Sequence, residues 1–448
     1  MIARYTPKEI GAVWTDQTKF QTWLDVELAV IEARCQLGVY LPDISERIRS
    51  QASFEVEAIN ELDRQIEHDL LAFVEVVRRS LPPELRWYVH DGLTSYDTEV
   101  PALALQFRKA GGILVSDLDL LITSFRRKAS EHLYTYCMGV THGQDAEPTT
   151  FGWRLCGYLD MMQQGKDSLI SVLENISLVK CSGAVGNWAT ISPELEERVC
   201  KLLALRPRPA ATQIVSRDVF ARLLAEVAII GGCLEKIATD LRLLATSAYR
   251  EVQEPRKPKQ KGSSAMPHKI NTILLERICG MAIMLRGYAA MGQELIRTWL
   301  ERDIAHSCVE RIAFADATIV LDYMLQKMYW IVENLIVYRP KMAHGIQRSL
   351  GCWTSEHVKL LLCRKGIDPE DVYLFIQSCA FKAFEEQRLF RDVLWESVVP
   401  SVGKTLSEVI EAAELDSCFD FKQQLSSLSA TAIKRMGLDP TLALPPNI

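Results

Sequence analysis

The chain has 448 residues, 48% of them hydrophobic and 24% charged, with a formal net charge of -6 and a mean hydropathy of +0.02. That length exceeds one ordinary core, so two or three domains are expected, and the apolar content excludes wholesale disorder. The acidic balance gives no basic field for a nucleic-acid backbone, which leaves small anions, held by a few local arginines, as the compatible charged partners.

In chain order, the opening stretch MIARYTPKEIGAVWTD has neither the apolar region nor the cleavage site of a leader. No window reaches the roughly 18 apolar residues of a membrane span, so no membrane partner is expected and the location expected is cytoplasmic. Apolar residues recur at helical spacing over 20–39, again over 218–252 and over 307–338. Proline and glycine punctuate the chain at 79–87, 206–212, 254–264 and 338–342. Alternating strand-like runs are nearly absent, which predicts an all-α fold with a bundle of long helices at its centre. The natural cuts are an N-terminal helical domain 1–90, a central long-helix domain 91–340 and a C-terminal helical domain 341–448. Helices so long and apolar need partners, and self-association through the bundle would bring loops of different chains together. The 12 cysteines are scattered, with no C-x-x-C pair and no Cys/His ligand spacing. They read as small buried hydrophobes in a reducing compartment, and neither disulfide, metal nor cofactor is expected.

Four stretches concentrate reactive side chains: EHDLLAF (67–73), VHDGLTSYD (89–97), THGQDAEPTTFG (141–152) and KGSSAMPHKINTILLERI (261–278). Taken singly, His68, His90 and His142 would each be a satisfied structural histidine. His142 has a different setting, a polar turn too rich in hydroxyls and carboxylates to be core filler. In the last stretch, Ser263 or Ser264 could simply cap the helix that follows. Met266, Pro267, His268, Lys269, Asn271 and Glu276 argue for more, because they gather a cation, an amide and a carboxylate at a loop-to-helix junction. An anion there would meet both Lys269 and the positive end of the helix.

GSSAMPHKINTILLE matches the fumarase/aspartase superfamily signature G-S-S-x-M-P-x-K-x-N-x-x-x-x-E at each defined position. The stretches RYT, HDLLAF, GLTSYD, THGQDAEPTTFG, SGAVGN (182–187), TQIVSRD (212–218), ERDIAHSCVER (301–311) and KGIDPEDVY (365–373) narrow the resemblance to the adenylosuccinate lyase family over nearly the whole chain. The resemblance implies a three-domain all-α fold, a homotetramer and sites shared among three subunits. It also implies the reaction, β-elimination of fumarate from an N-succinyl nucleotide: adenylosuccinate, giving AMP, and the related carboxamide ribotide of purine synthesis.

Such an elimination needs a base for the C–H beside a carboxylate, stabilisation of the dianion that forms, and an acid for the departing nitrogen. By resemblance, Ser263 is the base, with Ser264 the other serine in reach, and His142 is the acid. Lys269 and the start of the following helix would stabilise an alkoxide, Asn271 would bind a succinyl carboxylate and Glu276 would orient His142. The match makes His68 a further catalytic position. It places Arg4, Tyr5, Asp69, His90, Thr94, Ser95, Gln213, Met266, Arg302, Ser307 and Arg311 among the substrate contacts. Arginine suits a phosphate because its planar fork donates two parallel hydrogen bonds.

The chain departs from the family at several positions. Glu67 stands where relatives are usually basic, Asp91 replaces an aromatic residue and TEVPA (98–102) replaces the common VVDTA. Ile270 and Thr272 replace the Arg and Pro of HKRNP, and Val219-Phe220 replace an Arg-His pair. Glu67 is expected to be compensated by a nearby arginine. The competing readings are a relative that releases fumarate from a different N-succinyl compound and a non-catalytic helical scaffold.

Overall fold

In the computed structural model all residues 1–448 are described, and helices dominate. The long ones are Ser95–Glu131, Phe151–Ile176, Asp218–Leu244, Ile273–Glu294 and Ala305–Glu333. Strands occur only as four two-stranded pairs, so the expected all-α class holds.

The helical runs end where local chemistry stops them. The first spans Asp16–Gln36, with Thr15 at its N-cap accepting from Thr18 N. The run expected over 218–252 stops at Leu244, and Arg250 adopts a left-handed φ of 54°. Val252–Gln253 then pairs antiparallel with Ile336–Val337, which also ends the last long helix at Glu333 rather than near 338.

The chain divides into two units, each built from three segments. One comprises Met1–Leu120, Gln163–Glu235 and Arg277–Met328; the other comprises Leu121–Met162, Lys236–Glu276 and Tyr329–Ile448. In the first unit, Phe20, Trp23 and Phe73 sit at the heart of one core, with ring centroids 5.3 to 6.0 Å apart. Fully burying aromatic rings of this size is worth about 2 to 3 kcal/mol each. Lys180 Nζ reaches Asp97 Oδ1 at 2.6 Å with both side chains fully buried. Asp97 also accepts from the backbone N–H groups of Ser182, Gly183 and Thr94 at 3.0, 3.2 and 2.8 Å. These bonds satisfy a charge that would otherwise be costly to bury, and they tie the SGAVGN loop to the start of the Ser95 helix. In the second unit, Val358, Leu362, Phe375, Phe390 and Leu394 anchor a C-terminal core.

Several departures from the family are settled by packing. Asp91 takes the Arg34 guanidinium and accepts from the Tyr40 hydroxyl at 2.7 Å. Phe220 packs against Phe107 and Phe314, at centroid distances of 6.0 and 5.2 Å, and Val219 is buried beside it.

Candidate active site

In the first unit, three stretches far apart in sequence meet around a cavity of about 300 Å³. Its walls carry Glu67, His68 and Asp69 from the Glu67–Asp69 corner, Ser95 and Glu99 from the start of the Ser95 helix, and Arg302, Ser307 and Arg311 from the ERDIAHSCVER stretch. His68 caps the Asp69–Arg79 helix, its Nδ1 accepting from Leu71 N at 3.3 Å. Ser307 and Arg311 share a helix face, and Arg311 Nε donates to Ser307 Oγ at 3.3 Å. Arg302 Nη1 donates to Gln213 Oε1 at 2.7 Å, and Gln213 Nε2 donates to the Ala184 carbonyl at 2.9 Å.

The charges here are not those of a simple anion cradle. Burial opposes the Asp69 carboxylate, but its hydrogen bond and charge contact with Arg311, with help from Lys19, hold its pKa below the ordinary range. Burial and then Asp69 push Glu99 up to about 7, against the pull of Arg311, Arg302 and Lys19. Glu99, Ser307 and Arg311 also line a second cavity of about 320 Å³, walled by Trp14, Trp23, Tyr96 and Phe314. There burial raises Glu310 to about 7, although Arg217 Nε lies 3.0 Å from its Oε1. The compensation expected for Glu67 is not formed. Its backbone takes the left-handed end of the Val56–Ile66 helix, its side chain is exposed, and Arg311 is already engaged by Asp69.

The second unit holds the stretches expected to carry the chemistry. Tyr136–Thr141 and Gln144–Thr150 form an antiparallel hairpin, where the sequence suggested only a polar turn. His142 and Gly143 make its two-residue turn with φ of 53° and 79°, the left-handed pair such a hairpin demands. His142 is therefore exposed at the tip.

The serine loop is folded onto itself. Asn271 Nδ2 donates to the Gly262 carbonyl at 2.9 Å, and Ser263 Oγ accepts from Met266 N at 3.1 Å. A Cβ at Gly262 would lie 2.5 Å from the Lys269 carbonyl, so only glycine fits where the two arms of the loop close. Ser264, Met266, His268 and Lys269 are exposed. His268, Lys269, Asn271 and Glu276 line a cavity of about 680 Å³ together with Arg242, Arg250 and Lys341.

Two expected arrangements are not formed within the single chain. The helix beginning at Ile273 does not offer its positive end to a ligand, because the buried Glu254 carboxylate accepts from Leu274 N at 3.0 Å and Leu275 N at 2.9 Å. Glu276 Oε1 accepts from Thr272 Oγ1 at 3.1 Å rather than from His142.

The remaining expected contacts lie elsewhere in the first unit. Arg4 and Tyr5 form a short turn, with the Tyr5 ring edge-on to Tyr323 at 5.4 Å. Thr94 N donates to Asp97. His90 is turned to the buried Glu27, whose oxygens take its Nδ1 at 2.8 Å and its backbone N–H at 2.9 Å. Burial disfavours its charge, but Glu27 outweighs burial and raises the His90 pKa. The sequence reading did not pick out Glu99, Glu310, Arg217 or Glu254. Glu99 lies in the TEVPA segment, Arg217 in the TQIVSRD stretch and Glu310 in ERDIAHSCVER; nothing local marks Glu254.

Residues 4–287 match the sequence model of a lyase family. The chain is 42% identical over 411 residues to an adenylosuccinate lyase of Aquifex aeolicus (strain VF5), covering 91% of this chain and 93% of that one. It is 39% identical over 438 residues to an adenylosuccinate lyase of Bacillus subtilis (strain 168), covering 98% and 100%. Among solved structures, a fumarate lyase from Mesorhizobium sp. BNC1 superposes with a TM-score of 0.87 at 20% identity, over 98% of this chain and 99% of that one. A 3-carboxy-cis,cis-muconate lactonizing enzyme from Pseudomonas putida superposes with a TM-score of 0.85 at 24% identity, over 97% and 98%. Those two likenesses speak to the fold.

Proposed function

Because the chain belongs to the adenylosuccinate lyase family of the fumarase/aspartase superfamily, we propose that it releases fumarate from adenylosuccinate to leave AMP, and from the related succinyl carboxamide ribotide. It is a C–N lyase. The observation that carries the nucleotide reading is the cavity in which Arg302 and Arg311 meet Ser307, Ser95 and His68. Two guanidinium forks and two hydroxyls are the donors a phosphate monoester needs.

In the elimination, Ser263 takes the proton from the carbon beside a succinyl carboxylate, with Ser264 as the other candidate. The electron pair left on carbon becomes the double bond of fumarate while the C–N bond breaks, and His142 protonates the departing nitrogen. Lys269 and Asn271 hold the dianionic succinyl end, with Met266 beside them. His68 assists the chemistry, and Asp69, His90, Thr94 and Gln213 position the nucleotide. Glu276 orients His142 across a subunit boundary, since its partner within the chain is Thr272.

That last assignment belongs with a homotetramer. Supporting it, the long helices expose large apolar side chains: Ile229 at 57%, Ile283 at 63% and Ile312 at 62%. Side chains of that size left in water on three helices favour helix-to-helix association. Arg4 and Tyr5 then serve a site built partly by another chain. The working division remains 1–90, 91–340 and 341–448, and the working location is the cytoplasm; no helix is long and apolar enough to cross a membrane.

Steady-state fumarate release from adenylosuccinate, compared with release from a non-nucleotide N-succinyl amine, tests the substrate class. Preference for adenylosuccinate by a factor of at least about 100, roughly 3 kcal/mol of differential transition-state binding, is expected. Equal or reversed preference defeats the nucleotide reading.

A further inference from the structure

Two guanidinium groups lie close to the Tyr96 ring. The ring centroid lies 4.3 Å from Arg302 Cζ and 5.5 Å from Arg217 Cζ. The ring is buried, and its hydroxyl lies 2.9 Å from Nε2 of the equally buried His306. Burial, then Arg217 and Arg302, push the His306 pKa down to about 4, so at neutral pH the imidazole anchors the hydroxyl as an uncharged partner.

The two arginines differ in what they have left to give. Arg217 is ion-paired with Glu310 and donates from Nη1 to the Val215 carbonyl, and it does not line the smaller cavity, although its Nε, like that of Arg302, makes no hydrogen bond. Arg302 donates one hydrogen bond to Gln213, while its Nε is buried without a partner and its side chain lines the smaller cavity. Tyr96 lines the larger one, so its ring is part of the partition against which Arg302 lies.

We propose that Tyr96 is a positioning residue for anion binding: its ring face holds the Arg302 guanidinium in place, so that the unused donors of Arg302 meet the phosphate of the nucleotide. This rests on the reading that the smaller cavity takes a phosphorylated ligand. A guanidinium lying on an aromatic face gains electrostatic attraction to the ring and is ordered before the ligand arrives. Losing the ring face therefore weakens binding without touching the groups that transfer protons.

The full-length protein with Tyr96→Leu should bind AMP and inorganic phosphate roughly threefold to thirtyfold more weakly by calorimetry. Its adenylosuccinate KM should rise by the same factor, with kcat held within about twofold. Tyr96→Phe, which keeps the ring and loses only the hydroxyl, should recover most of the lost affinity. A ring-fluorinated phenylalanine at position 96 preserves the packing and weakens the π face, so it should bind phosphate less well than Tyr96→Phe even if the leucine variant folds poorly. Unchanged phosphate affinity in the fluorinated variant overturns the proposal. So does a Tyr96→Phe variant as weak as Tyr96→Leu, which would assign the effect to the hydroxyl and His306. If the wild type binds phosphate with this pattern but leaves adenylosuccinate intact, the positioning role stands and the substrate reading fails.

Discussion

Asp69 Oδ2 and Arg311 Nη1 lie 2.5 Å apart on the wall of the smaller cavity, so the arginine best placed for an anion is already held by a carboxylate of its own chain. Any phosphate bound there shares Arg311 with Asp69. The pairing fixes where the guanidinium points, at the cost of some of its positive field.

Replacing Arg311 by Gln should expose the linkage. The Asp69 pKa is depressed in the folded state, so the pair contributes stability that is present above the unfolded value near 3.9 and lost as pH falls through the folded pKa. The Arg311 side chain is 47% exposed and water screens it, so the expected loss is about 1 kcal/mol at pH 7. Chemical denaturation midpoints at pH 7 and near pH 3 check this: the variant should be weaker at the first, and the deficit should be smaller at the second, where the unfolded carboxyl is mostly protonated. Equal destabilisation at both would show that Arg311 acts through packing alone.

Glu99 has the opposite sign. Its pKa is raised to about 7 by burial and by Asp69, so the folded chain holds a proton that the unfolded chain has released. Stability should therefore fall as pH rises from about 4.5 to 7, and Glu310, also raised to about 7, should add to that slope. Glu99→Gln should remove about half of the fall and be more stable than wild type at pH 8, by about 1 to 2 kcal/mol. Parallel denaturation profiles of the two proteins across that pH range would contradict the assignment.

Glu67 is exposed and unpaired at the cavity wall, so its repulsion of an anion is real but screened. Glu67→Lys should lower the adenylosuccinate KM by no more than about threefold at low ionic strength, and the gain should fade at high salt. A rise in KM, or a gain that does not respond to salt, would mean that Glu67 makes a specific contact with the substrate.

Legibility in the sequence followed the range of the interactions. The serine loop could be read because Gly262, Ser263, Met266, Lys269, Asn271 and Glu276 fall within one short segment, and the long helices because their apolar period is local. The hairpin carrying His142 was read only as a polar turn, since its strands are short and register appears only when Tyr136 finds Thr150. Asp91 looked like a change at the site until Arg34 and Tyr40 claimed it, and Glu254 was invisible because the amides it caps lie 20 and 21 residues away. The raised pKa of Glu99 depends on burial among groups from three distant stretches, which no local pattern encodes.

Shared sites predict complementation. Ser263→Ala and His142→Ala chains should each be nearly inactive, but mixed, unfolded and refolded together they should recover part of the wild-type rate, because some sites then combine an intact Ser263 with an intact His142 from different chains. A mixture no more active than its components would place both groups of one site on one chain.

The most direct measurement is the paired yield of AMP and fumarate from adenylosuccinate, taken for the wild type and for Ser263→Ala in parallel. The wild type should form the two products in equal amounts, and Ser263→Ala should lower kcat by about three orders of magnitude or more, roughly 4 kcal/mol, with substrate still bound. Wild-type protein that yields no fumarate, or a Ser263→Ala variant that turns over at near the normal rate, would contradict the account.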